Sequence, residues 1–517
     1  MRQPDSPGML AVQMRGICKR FGAVEANADV DLSVQSGTVH GIVGENGAGK
    51  STLMSVLYGF YPADRGDITV LGKPAQIHKA DDAIALGIGM VHQHFMLVET
   101  LSALDNIVLG AEPHWLLQRA SAQARARLEP LMQSTGLHVP LDTLVADLAV
   151  GDRQRLEILK ALYRGARILI LDEPTAVLTP QETLQLFAVL GQLRTQGTTV
   201  ILITHKLKEV MALCDRVTVM RAGRVVQELP IAQASIESLA QAMVGRKVQL
   251  GRVPDAPSRP PQAAAHAVLR ARGLGVRDAL GVLRMQQVDL ELFPGEIVGV
   301  AGVAGNGQSE LLEVLCGLRT PAQGSLQVGD HLFTPAQWLE PQQARALGLA
   351  HVPEDRQARA LVMEFAAWES GVLGYAHRAP YSHGPWMRKA AMQTGTAALM
   401  ERFDVRPRNV RLKSSKFSGG NQQKLVLARE LGQAPSVLLV GQPTRGVDIG
   451  AIEFIYAQLR ALRDAGGAVL LVSGELDEIL ALCDRVLVMH QGRITGALAI
   501  ADCTETRLGI LMAGGAA

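Results

Sequence analysis

Aromatic side chains make up only 4% of this 517-residue chain. Rings are therefore a minor filling of its cores, and an aromatic outside a core pattern stands out. Cysteine is scarce: Cys18, Cys214, Cys316, Cys483 and Cys503 are scattered, odd in number and without a C-x-x-C pair. That argues against a disulfide framework and fits reduced thiols in a cytosolic setting. No uncharged apolar run approaches the about 20 residues that a membrane helix needs, so any membrane link is expected to come through a partner. The polar start, Met1–Gly8, carries no apolar signal core and predicts no secretion. Net charge is only +2 and no basic arm stands out, which argues against nucleic acid as the main partner. What is present is 48% hydrophobic and 19% charged residues, enough for sizeable cores in roughly two to four domains.

The most informative stretch is Gly44-Glu45-Asn46-Gly47-Ala48-Gly49-Lys50-Ser51-Thr52. It fits G-x-x-x-x-G-K-[ST], a P-loop whose glycines let backbone N–H groups wrap phosphate oxygens. Lys50 would reach the β- and γ-phosphates of a nucleotide, and the Ser51 hydroxyl would ligate Mg²⁺. The flanks agree: Thr38–Val43 reads as a strand and Leu53–Leu57 as helix, whose N-terminal end adds its positive dipole.

Elements around the loop complete a candidate site. Val12–Val34 shows short alternating apolar runs, predicting an antiparallel sheet. Phe21 lies in it, either stacked on an adenine face or as a core aromatic. Gly87–Val91 reads as a strand, and Gln93 at its end is a candidate for Mg²⁺ or the attacking water, the alternative being a solvated glutamine. The neighbouring His92-x-His94 lacks acidic or Cys company and reads as surface or core. Ser102–Leu148 is mostly helical by composition, and an amphipathic helix is expected over Arg153–Tyr163. Next, Ile168-Leu169-Ile170-Leu171-Asp172-Glu173 describes a buried strand delivering two carboxylates to the P-loop end of a parallel sheet. Asp172 would hold Mg²⁺ through water, and Glu173 would take a proton from the attacking water. Thr179-Pro180-Gln181-Glu182 is a capping box with Pro at the first helical position, opening a helix to about Gln196. The strand Thr198–Thr204 follows, and His205 at its end would contact the γ-phosphate.

The chain repeats itself. Cys214-Asp215-Arg216-Val217 recurs as Cys483-Asp484-Arg485-Val486, and Val219-Met220 with Gly223-Arg224 recur at the same spacing as Val488-Met489 with Gly492-Arg493. Self-similarity at this period means two homologous domains. The expected division is 8–245, then a Pro/Ala-rich linker over 246–267, then 268–517.

The P-loop, Gln93, the Leu148–Gln154 segment, Asp172-Glu173 and His205, in this order, resemble the nucleotide-binding cassette of ABC transporters. Phe417-Ser418-Gly419-Gly420-Asn421-Gln422-Gln423-Lys424 is similar to the ABC signature. With Val352-Pro353-Glu354-Asp355-Arg356 and Gln442-Pro443-Thr444-Arg445-Gly446-Val447-Asp448, the chain resembles the two-cassette ATP-binding subunit of bacterial simple-sugar and nucleoside importers. The resemblance implies an α/β fold of two P-loop NTPase domains in tandem. Each would have a mainly parallel sheet, an antiparallel β subdomain and a helical subdomain. It implies ATP and Mg²⁺ as cofactors, two integral-membrane permeases as partners, and an extracytoplasmic solute-binding protein acting indirectly. It also implies a peripheral position on the cytoplasmic face of the bacterial inner membrane. A soluble twin-cassette ATPase acting on ribosomes is the rival; such proteins tend to carry a long charged helical linker and two intact sites. A nucleotide-sensing regulator without turnover is the third reading.

The second copy has exchanged its chemistry. Gln308 stands where the first has Lys50, Gly441 and Gln442 replace Asp172 and Glu173, Gly474 replaces His205, and Glu354 replaces Gln93. Glu354 is expected to repel a nucleotide. No aromatic matches Phe21; Asp278, Ala279 and Leu280 stand there. The signatures show the opposite bias: Ser418-Gly419-Gly420 is intact, whereas the first copy has Ala149-Val150-Gly151-Asp152. Asp448 in the second copy likewise faces Thr179 in the first. ABC cassettes work as head-to-tail pairs. On that geometry one complete pocket joins Lys50, Asp172, Glu173 and His205 to Ser418, Gly419, Gly420, Asn421 and Asp448, leaving one degenerate pocket.

Overall fold

The computed structural model describes residues 9–22, 24–93, 95–111, 120–175, 178, 180–247, 266–278, 280–303, 305–512 and 514–515. The chain divides into two compact units, Met1–Val248 and Gln249–Ala517. Most of the expected linker, Thr179, His94 and Ala279 lie outside the described residues.

The first unit begins with β1 (Leu10–Phe21) and β2 (Val24–Gln35), paired antiparallel. They are followed by β3 (Val39–Gly44), the helix Lys50–Tyr58, β4 (Arg65–Val70), β5 (Lys73–Ala75) and β6 (Ile88–Val91). After a helical stretch come β7 (Ile168–Asp172), β8 (Thr199–Ile203), β9 (Arg216–Arg221) and β10 (Arg224–Pro230). Strands β2-β1-β4-β5 form one antiparallel sheet, and the second runs β10-β9-β3-β8-β7-β6. Within the second sheet β9, β3, β8, β7 and β6 are parallel, and β10 closes the edge antiparallel.

The apolar runs explain this order. Every residue of β3, β7 and β8 is buried, as expected for parallel strands covered on both faces. The helix Lys50–Tyr58 sits between the sheets. Its Leu53, Met54 and Leu57 join Val12, Met14 and Leu32 of one sheet to Ile42, Ile170 and Ile201 of the other in a single core. Among the polar side chains that lie inside, His40 of β3, fully buried, meets the Thr218 hydroxyl on β9 at 2.8 Å.

The helical stretch is less continuous than its composition suggests. Helices cover Ala103–Val108 and Ala120–Thr135, and the chain from 136 to 144 is irregular. Gly136 takes a left-handed φ of 70° and Pro140 follows, which stops helix propagation. The signature helix begins at Val150, three residues before its expected start, and runs to Tyr163.

The second unit repeats the plan. Its strands are β11 (Leu269–Arg277), β12 (Leu283–Leu292), β13 (Ile297–Ala301), β14 (Gln323–Val328), β15 (His331–Phe333) and β16 (Leu349–Val352). A small hairpin, β17 (Ser382–His383) with β18 (Trp386–Met387), precedes β19 (Val437–Gly441), β20 (Ala468–Ser473), β21 (Arg485–His490) and β22 (Arg493–Ala499). The antiparallel sheet runs β12-β11-β14-β15 and the larger one β16-β19-β20-β13-β21-β22. The wholly buried strands are again the central ones, β13, β19 and β20.

Candidate active site

The P-loop leaves β3 and enters the helix Lys50–Tyr58 through two left-handed glycines, Gly47 (φ 87°) and Gly49 (φ 95°). Close approach fixes two positions. A side chain at Gly44 would run into the carbonyl of Met220, and one at Gly49 into that of Ala26. The loop is pinned from behind: Asn27 Nδ2 donates to Gly49 O at 3.1 Å, and Gly223 N to Ala48 O at 3.1 Å. Glu45 and Ala48 close a turn across it (Ala48 N to Glu45 O, 3.0 Å), while Asn46 and Gly47 face outward. Lys50 is only 6% exposed and curls back to donate to Gly44 O at 2.6 Å and Glu45 O at 3.0 Å. Its ammonium is thereby held over the loop mouth. Thr52 follows one turn inside the helix, half-buried.

The ends of β7, β8 and β6 bring the remaining candidates of this unit to the same edge. Asp172 is buried and accepts from the Ser51 hydroxyl; burial, and secondarily the neighbouring Glu173, push its carboxyl above the usual range. Glu173 sits at a left-handed φ of 47°, a conformation costing on the order of 1–3 kcal/mol for a residue with a side chain. Its N–H bonds to Ile203 O at 2.9 Å, holding the turn in place. The carboxylate is gripped from both sides, by His205 Nδ1 at 2.9 Å on Oε1 and Gln93 Nε2 at 3.2 Å on Oε2. Burial alone would raise the Glu173 carboxyl. The hydrogen bond and charge of His205, with Lys50 and Lys206, outweigh it and hold the group below the usual range.

Phe21 is 42% exposed and stands edge-on to Tyr61, centroids 5.0 Å apart, with Lys19 Nζ 5.6 Å from its ring centre. Its face is not packed into a core. Tyr61 was not legible as a neighbour, because only the pairing of β1 with β4 brings the chain after the P-loop helix back to it. A second unforeseen feature ties the loop after Gln93 to the helix Val150–Tyr163. Glu157 Oε1 accepts from Met96 N at 2.6 Å, and Lys160 Nζ donates to Met96 O at 3.0 Å. In the first copy's signature segment, Asp152 is occupied by Arg155 at 2.6 Å.

The second unit gathers its own candidates. Ser418 caps the helix Gly419–Leu431 and accepts from Asn421 Nδ2 at 2.9 Å. Asp448 caps the helix Ile449–Asp464 through Ala451 N at 2.8 Å, and a side chain at Gly420 would lie 3.1 Å from its Oδ2. Arg356, noted in the sequence only as part of a motif, knits these loops together. It donates to Arg445 O at 2.8 Å and leans on Gly419. Gln442 keeps the left-handed φ of Glu173, at 45°, and its amide faces Gly474. The backbone of the Glu173 turn survives here without the carboxylate or the histidine.

A P-loop between strand and helix, two carboxylates at the next strand end and a histidine at the third define a nucleoside-triphosphate-hydrolysing fold; the second unit repeats the fold without the carboxylates and the histidine. Residues 28–176 and 285–445 match the ABC transporter family. The chain is 42% identical to a nucleoside import ATP-binding protein, NupA of Lactococcus lactis subsp. cremoris, over 98% of each chain. It is 40% identical to a glucose import ATP-binding protein, TsgD13 of Haloferax volcanii, over 98% of this chain and 96% of that one. Among solved structures, an archaeal ribosome recycling factor, aABCE1, aligns with a TM-score of 0.64 at 18% identity, covering 96% of this chain and 92% of that one. That likeness carries the fold alone. The chain belongs to the ABC transporter family, as an ATPase of two fused cassettes.

Proposed function

We propose that the chain hydrolyses ATP to drive import of a small polar solute, a nucleoside or simple sugar, through membrane permeases. The observation that carries this reading is the grip on Glu173 by His205 and Gln93 at a complete P-loop. The import functions of the two relatives support the direction of transport. The partners are two permease subunits, with a solute-binding protein outside the membrane. The chain works as a peripheral subunit on the cytoplasmic face of the bacterial inner membrane. Among the described residues no helix is long and apolar enough to cross a membrane.

In this reading the two cassettes pair head to tail. Ser418, Gly419, Gly420, Asn421 and Asp448 then close over the nucleotide held by Gly44–Thr52, whose adenine stacks on Phe21. Ser51, Asp172 and Gln93 are the residues that would hold Mg²⁺, and the exposed Ser51 hydroxyl already joined to the Asp172 carboxyl fits a cation between them. Mg²⁺ when bound would neutralise charge on the β- and γ-phosphates. Glu173, ionised and oriented, takes the proton of the attacking water, worth about 10²–10⁴ in rate. Lys50 and His205 stabilise charge on the γ-phosphate.

A ribosome recycling factor shares the fold at 18% identity, which carries no activity. Turnover measured with and without permeases in lipid separates the readings. Transport function predicts stimulation by permease and solute. It also predicts that Glu173→Gln abolishes turnover while Gln442→Ala leaves most of it; equal losses reject the asymmetric assignment.

A further inference from the structure

The chain as a whole carries a net charge of only +2, but that charge is unevenly placed. Residues 372–431 carry the hairpin of β17 and β18 and run to the end of the helix Gly419–Leu431. They hold eleven Lys and Arg against three Asp and Glu. The matching stretch of the first unit, residues 108–162, holds six of each. The excess in the second unit is not cancelled locally. Asp404 is shared by Arg406, Arg408 and Lys424, and Glu430 is paired with the buried Arg429. From Ser370 to Met400 there is no acidic residue at all.

In the middle of that acid-free run the hairpin presents an apolar tip on a fixed base. Arg388 N donates to Tyr381 O at 2.8 Å. The Tyr381 hydroxyl sits against Gly395 of the next helix, where a Cβ would lie 2.8 Å from it. The turn is tight: His383 pairs with Trp386 around Gly384, whose φ is 57°. Beyond this base Trp386 is 78% exposed and Met387 72%. Cations flank the tip. Exposed Lys389 lies 5.3 Å from the Trp368 ring centre, half-buried Arg378 lies 5.3 Å from that of Tyr375, and Arg388 is exposed. Among the described residues none of the three forms an ion pair.

We propose that this hairpin docks directly on an anionic phospholipid bilayer: Trp386 and Met387 enter the headgroup layer, and Arg378, Arg388 and Lys389 meet lipid phosphates. Tryptophan joins an apolar body to a polar N–H, which suits the boundary between headgroups and acyl chains. Long cationic side chains lie along apolar material and keep their charge in the polar layer. An apolar insert or a basic patch alone holds weakly, and the two together make an anchor. Each Lys or Arg at such a surface is worth about fivefold in affinity, less as salt screens it. A nucleic acid would instead need successive stacking rings along a groove, and among the described residues Trp386 has no ring beside it. This contact goes beyond attachment through permeases and does not depend on it, since only the second unit and lipid take part.

The test floats the full chain with permease-free vesicles, made either of phosphatidylglycerol mixed with phosphatidylcholine or of phosphatidylcholine alone. Binding is expected on the anionic vesicles only, weakening as ionic strength rises. Trp386→Ser combined with Met387→Ser should lower the partition coefficient at least about tenfold, and Arg388→Gln or Lys389→Gln about fivefold each. Bromine placed on the acyl chains close to the headgroups should quench tryptophan emission of the unmodified chain. Trp386→Phe should remove that quenching and keep most of the binding. The quenching of the unmodified chain needs no variant, so misfolding cannot imitate its loss. No binding to the anionic vesicles, equal binding to neutral ones, binding that survives loss of tip and cations, or no quenching would overturn the proposal. So would capture only by neutral vesicles that carry the permeases, which would make the tip a protein contact.

Discussion

Glu173 Oε1 and His205 Nδ1 stand 2.9 Å apart, joining the ends of two adjacent parallel strands. This contact is the main reason the buried Glu173 carboxyl lies below its ordinary range, because burial acts in the opposite direction. Replacing His205 by Ala removes the largest lowering influence and leaves burial opposed only by Lys50 and Lys206. The base must be ionised to act, so the acid limb of the kcat profile should move to higher pH, with a lower plateau. A profile that keeps its acid limb while the plateau drops would assign His205 to phosphate contact alone.

The tether on Met96 links the loop after Gln93 to the signature helix of the same unit. Met96 and Val98 beside it are exposed apolar residues, available to a permease. Hydrogen bonds to charged groups contribute about 1.5–3 kcal/mol, so losing the Lys160 contact should shift the loop population by about tenfold or more. Lys160→Ala should therefore depress permease-stimulated ATPase in proteoliposomes more than the basal rate of the free chain. Equal effects on both would place the tether in folding rather than coupling.

His40 offers a stability test away from the chemistry. Burial, then the charge of Arg216, lowers its pKa from 6.5 to about 4. Between those values the unfolded chain binds a proton that the folded one excludes. Stability should then fall as pH drops from about 6.5 towards 4, by about 1.4 kcal/mol per unit, and be flat above. His40→Gln should remove this share of the slope in urea unfolding of the first unit. An undiminished slope would contradict the assignment.

The fold was legible wherever backbone geometry follows from local residues. Apolar runs marked β7 and β8, the stretch leading into the P-loop marked β3, the glycines marked the P-loop turn, and the repeated Cys-Asp-Arg-Val marked two domains. The stretch from Ser102 to Leu148 is mostly helical where it is described, but an Ala- and Leu-rich composition does not show that Gly136 and Pro140 interrupt it. Contacts set by the tertiary structure were hidden. Tyr61 beside Phe21, Arg356 under Gly419, and Ser309 on Glu354 each join residues distant in sequence. Glu354 is the instructive case. As a letter it reads as a charge opposed to phosphate, and only the space left by Gly441 shows it taking up a serine hydroxyl.

The central claim is that one hydrolytic pocket is assembled from both cassettes. Its most direct test is a high-resolution map of the Glu173→Gln chain in its permease complex, loaded with ATP. The account predicts Ser418 Oγ within hydrogen-bond distance, about 3 Å, of the γ-phosphate of the nucleotide held by Lys50. A Lys50-bound nucleotide whose γ-phosphate meets no group of the Ser418–Asn421 segment would contradict it.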